Sequence, residues 1–252
     1  MQEVLDHNPR HEVVLRLPTE ALPMTAAELE AIRLSLSVAL RSVLFGLPVA
    51  ILAAWILARR RGAGRVLFDA FVHLPLVLPP VVVGYLLLLL LGTRGPIGGW
   101  LYREFGIQLI FTSTGAAIAT AVMTFPLMVR AIRLSLEGVD TGLEDAARTL
   151  GAGAWDRFWT ITLPLMLPGI LAGAVTAFSA GLGEFGAVIT FVSNIPGETR
   201  TLPLALYTAL QTPGGDAMAA RLATIAFLLG MTGLIVAEVI ARRLRWMLGR
   251  SS

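Results

Sequence analysis

Five stretches of this chain, at about 33–58, 67–91, 113–135, 165–190 and 219–241, are each long and apolar enough to cross a lipid bilayer. A hydrocarbon core of about 30 Å takes roughly 20 helical residues, and inside it each segment must satisfy its own backbone polar groups. That leaves one fold class, an all-α integral membrane protein with about five transmembrane helices. Apolar residues make up 56% of the 252 and charged residues only 15%, a balance that soluble domains of this size rarely have.

Charge then orients the spans. Arg59, Arg60, Arg61 and Arg65 fill a link too short to hold a domain, and Arg242, Arg243, Arg245 and Arg250 follow the last span. Short Arg-rich loops stay in the cytoplasm, so the pattern predicts an outer N-terminus and a cytoplasmic C-terminus, with residues 246–252 as a tail. The net charge of +3 follows from this topology and calls for no nucleic-acid partner. A single membrane domain is expected over 31–245. Residues 1–30 form a polar extension, irregular or set by an upstream start codon over the leading 23, with a short helix from Thr25; they lack the pattern of a cleaved signal peptide. The connection 186–218, broken by Pro196, Pro203 and Pro213, reads as re-entrant or surface-lying.

One polar loop, 136–164, interrupts the lipid-facing chain. Thr141 and Glu144 have capping-box spacing, Ala146 and Ala147 favour a close-approach helix, and Gly151 suits a left-handed stop. Trp155, Phe158 and Trp159 recur at helical spacing, and Leu163-Pro164 and Pro168 are expected to bend the chain back into the membrane. Taken alone, this is either a helix–turn–helix that docks another protein or a solvated loop anchored by interfacial tryptophans.

The spacing decides. Asp145-Ala146-Ala147, three residues, Gly151, nine residues and Ile161-Thr162-Leu163-Pro164 resembles the "EAA" loop of ABC-importer permeases, with Asp in place of the first Glu. The resemblance implies a coupling loop that docks on ATP-binding subunits, which use ATP and magnesium, while this chain is a non-catalytic transport subunit. Asp145 would be the acidic contact, with Glu144 available to share it, Ala146 and Ala147 the interface, and Gly151 the elbow. The chain has no lysine, all twenty basic residues being arginine, so it has no Walker A loop of its own.

The run from His73 to Tyr85, with Pro75, Pro79 and Pro80, and the runs Gly183-Glu184-Phe185-Gly186-Ala187 and Phe191 to Thr201 resemble the permease subunit of molybdate ABC importers. That family implies molybdate import across the inner membrane by a permease homodimer, fed by a periplasmic or extracellular molybdate-binding protein; tungstate and sulfate importers are its neighbours. A tetrahedral dianion needs a watered passage with scattered donors. Candidate lining or gate residues are Glu184, Thr190, Ser193 and Asn194, with Glu184 in a structural role, paired with an Arg or backbone amides and holding the gate closed. Arg41 should snorkel or pair, and His73 should pack or hydrogen-bond. His7 and His11 are four apart but no carboxylate joins them, so no metal site is expected. The rival of another class is a proton-coupled anion carrier using Glu184 or Glu238.

Overall fold

The computed structural model describes residues 24–59, 62–139 and 141–247, so the extension before Met24, with His7 and His11, lies outside the described residues, as do Arg60 and Arg61. The helices are α1 (Ala26–Arg59), α2 (Ala63–Val77), α3 (Pro80–Leu91), α4 (Pro96–Phe105), α5 (Ser113–Glu137), α6 (Thr141–Thr149), α7 (Ala154–Arg157), α8 (Leu163–Leu182), α9 (Gly186–Val192), α10 (Leu202–Gln211) and α11 (Asp216–Met247), with a π-turn over Phe158–Thr162 joining α7 to α8. No strand occurs among the described residues.

Four of these are long and apolar enough to span: α1, α5, the run Ala154–Leu182 and α11. The expected second span is two helices, α2 and α3, that meet at 114°. Pro79 and Pro80 explain the corner. A residue before proline is pushed out of the helical region, and Leu78 (φ −74°, ψ 142°) and Pro79 (φ −54°, ψ 134°) are both extended. The expected fourth span stops at Leu182, and α9 and α10 are too short to cross.

The centre is α1, α5 and α8, held together by small residues. Gly169, Gly173, Ala177 and Gly181 recur every four positions along one buried face of α8. A Cβ on Gly169 would strike Ser135, one on Gly173 would crowd Met128 and Ala131, and one on Gly181 would meet Thr120. Between helices in lipid there is no hydrophobic drive, so close backbone approach of this kind supplies the packing.

Polar ties mark the two ends of the bundle. At one, the fully buried Glu28 accepts from the Thr25 backbone N–H (2.7 Å) and pairs with Arg221 of α11 (2.8 Å). At the other, Arg133 of α5 bridges Asp69 of α2 (3.1 Å) and Glu137 (2.8 Å). His73 Nδ1 lies 2.9 Å from the Asp69 carbonyl oxygen, the hydrogen-bonding role expected of it. Arg41 bonds Ser37 Oγ (2.8 Å) and Ser113 Oγ (3.3 Å), joining α1 to α5.

Candidate functional site

The polar loop folds as α6, a turn, and α7. Its stop is a Schellman motif: the Gly151 N–H bonds the Arg148 carbonyl (3.1 Å) and the Ala152 N–H reaches back to Ala147 (3.0 Å). Gly151 sits at φ +85° with open space around it, so glycine is required there by backbone conformation and not by room. The side chain of Thr141 lies outside the described residues.

Adjacent acids in α6 have opposite surroundings. Glu144 turns inward, pairs with Arg59 at the end of α1 and accepts from Thr162 Oγ1 (2.7 Å). One carboxylate thereby ties three segments together. Asp145, about 100° further round the helix, is exposed, as is Ala146, while Ala147 is half-buried. Leu150 (87% exposed) and Trp155 (72%) extend this outward face. Trp155 and Trp159 stack at 6.4 Å, with Phe158 edge-on to both.

The expected bend at Leu163-Pro164 and Pro168 does not occur. Ala154–Leu182 is a single helical run of 29 residues. Pro164 cannot donate, and its ring would clash with the Thr160 carbonyl. The chain widens by one residue instead, so that the Leu163 N–H bonds Phe158 O five residues back. One rod of about 43 Å, at 1.5 Å per residue, therefore joins the elbow to the Gly183–Glu184 segment.

At the far end of that rod the two proline- and glycine-rich runs meet. α3 crosses α9 with Gly84 on Ala187 and Thr190, where a Cβ would come within 2.6 Å of the Ala187 carbonyl oxygen, and Gly186 lies against Pro80. Glu184 Oε1 accepts from the Ala187 N–H (2.9 Å), so it caps α9 through a backbone amide. Thr190 Oγ1 donates to the Gly186 carbonyl (2.8 Å). Ser193 is exposed and holds φ +67°, ψ −165°, a region that essentially only glycine adopts. Asn194 donates to Thr208 Oγ1 (2.8 Å) and accepts from Arg200 Nε (2.9 Å).

Glu184 thus precedes α9 and Thr190 sits within it, while Ser193 and Asn194 lie in the turn beyond it. Sequence reasoning missed the residues that hold them: Arg200, Thr208, and Thr199, whose hydroxyl donates to the Ser193 carbonyl (3.0 Å). It also missed the pairing of Glu28 with Arg221, although Thr25-x-x-Glu28 carries a capping-box spacing. No group of three or more His, Asp or Glu placed to hold a metal occurs among the described residues.

The fold is a spanning helical bundle with a polar elbow continuous with one long apolar helix. The chain belongs to the family of binding-protein-dependent transport system inner membrane components, which it matches over residues 46–246. It is 60% identical over 227 residues to the Molybdenum transport system permease protein ModB of Escherichia coli K12, covering 90% of this chain and 99% of that one. Identity falls to 38% over 216 residues with the Sulfate transport system permease protein CysW of Synechocystis, covering 84% and 76%. Among solved structures, an inward-facing MetNI methionine ABC transporter matches with a TM-score of 0.69 at 16% identity, covering 89% of this chain and 99% of that one, which shows the shared fold.

Proposed function

We propose that this chain is the membrane-spanning subunit of an ABC importer that moves molybdate across the inner membrane. It works as a homodimer, with separate subunits hydrolysing ATP and a binding protein delivering the anion from outside. The observation that carries the mechanism is the unbroken run from Ala154 to Leu182. An ATP-driven displacement of the elbow moves this rod, and the rod ends where Glu184 caps α9. The cargo rests on the much higher identity to the molybdenum permease than to the sulfate one.

Within the elbow, Asp145 is the acidic contact for the ATP-binding subunit because it is exposed, whereas Glu144 braces the chain internally. Arg59 pairs with Glu144 and Arg65 with Glu137 beside this loop, and Arg242 follows the last apolar span, so by the arginine bias the elbow and C-terminus face the cytoplasm and the N-terminus faces out. In the passage, Ser193 and Asn194 offer a dianion neutral contacts and let it go quickly; Thr190 adds a hydroxyl beside them.

The test is the complex reconstituted in vesicles with its ATP-binding subunits and binding protein. Molybdate should stimulate ATP hydrolysis and accumulate inside, while sulfate should do neither. Stimulation by sulfate alone overturns the cargo, and ATP-independent uptake that follows a proton gradient overturns the transporter class.

A further inference from the structure

We propose that a groove between the polar end of α1 and the α7 turn binds one anionic phospholipid, which braces the elbow against the bundle. The groove is about 650 Å³, and none of Glu184, Thr190, Ser193 and Asn194 lines it. Its first wall is the stripe Pro48, Leu52, Trp55 and Arg59, spaced to share one face of α1. Pro48 to Arg59 spans about 16 Å at 1.5 Å per residue, which matches one leaflet of a hydrocarbon core about 30 Å thick. Trp155 and Phe158 form the facing wall.

The groove is apolar at depth and cationic at its mouth. Arg59 and Arg157 stand there against one carboxylate, Glu144, which is already committed to Arg59 and Thr162. Arg157 donates Nη1 to the Ala152 carbonyl (2.8 Å), and its other N–H groups meet no acceptor among the described residues. A phosphodiester supplies the missing acceptor and charge, and its acyl chain covers the stripe from Trp55 to Pro48. A protein docked on the polar face would not reach Pro48, and an apolar helix of a second copy would leave Arg157 unmatched.

The inference requires that the chain crosses a bilayer, not that it carries any given cargo. Lipid retained by the complete complex, purified from membranes rich in phosphatidylglycerol, is measured by extraction and native mass spectrometry. The wild type should keep about one phosphatidylglycerol per chain. Arg157→Gln should reduce that about fivefold, the worth of one guanidinium near an anionic headgroup, and Trp55→Ala should lower retention of phosphatidylglycerol and phosphatidylcholine alike. ATP hydrolysis in nanodiscs should fall for the wild type when phosphatidylglycerol is replaced by phosphatidylcholine. Equal retention by wild type and Arg157→Gln overturns the proposal. So does displacement of the bound lipid by millimolar inorganic phosphate, or a cross-link from position 55 to the ATP-binding subunit or a second copy. None of these readouts involves molybdate, so the lipid site and the cargo assignment fail separately.

Discussion

The elbow around Gly151 and the crossing around Gly84 both depend on glycine, for opposite physical reasons. Gly151 has nothing near it and needs only its positive φ; Gly84 has an ordinary helical backbone and needs only the absence of a side chain. One site is a local conformational device on an exposed surface, and the other is a close approach of two helices. The chain therefore positions its elbow by backbone turns and its α3–α9 crossing by packing.

Substitution separates the two most sharply. Gly84→Val places atoms against the Ala187 carbonyl and Thr190, and overpacking of this kind costs about 1–3 kcal/mol or more. The variant should lose folded protein, transport and passage geometry together, seen as a large fall in thermal midpoint in detergent. Gly151→Val has open space and incurs a left-handed backbone penalty of about 1–2 kcal/mol, confined to the end of α6. It should assemble with its ATP-binding subunits yet hydrolyse ATP without responding to substrate. Normal substrate stimulation in Gly151→Val would break the comparison, because the elbow would then tolerate any residue.

The difference also governs what the sequence could reveal. Helix stops and caps are local, so Gly151 and the α6 turn could be read from spacing alone. Close approaches need both partners, and nothing in the run around Gly84 names Ala187. The prolines at 79 and 80 forecast a break, but the 114° corner arises because two consecutive residues, Leu78 and Pro79, are extended. Pro164 misled in the other direction: a bend was expected, and a π-turn absorbed it. The Gly169–Gly173–Ala177–Gly181 stripe stood in the sequence at a spacing of four, but a chain with 25 glycines hides it. Glu28 could be read as a cap, while its partner Arg221 is 193 residues away.

Within the elbow, the two acids allow a finer test. Glu144→Gln loosens a tie to Arg59 that is partly exposed, so its cost should stay within about 0.2–1 kcal/mol. Asp145→Asn changes an exposed charge and should leave stability within about 0.5 kcal/mol. Coupling should rank them the other way: Asp145→Asn should weaken affinity for the ATP-binding subunit severalfold, and Glu144→Gln should change it less. Titrating the purified permease with that subunit measures both. Equal loss in the two variants would mean that both acids face the partner and that the inward turn of Glu144 is not kept in the complex.

Ser193 bears on the turn after α9 alone. Its φ of +67° with ψ −165° is held by Thr199, whose hydroxyl donates to the Ser193 carbonyl and accepts from the Ile195 N–H (2.8 Å). Backbone strain of this kind is worth about 1–3 kcal/mol, and glycine relieves it at an unfolded-state cost of about 0.4–1 kcal/mol. Ser193→Gly should therefore raise the thermal midpoint slightly, by about 1 kcal/mol of stability. If the exposed hydroxyl contacts the anion, the same variant slows molybdate uptake while it stabilises the fold. Ser193→Ala keeps the strain and removes the hydroxyl, so it should slow uptake with no gain in stability. Wild-type uptake in both variants would reduce Ser193 to a backbone position and leave Asn194, held between Thr208 and Arg200, as the polar contact at that turn.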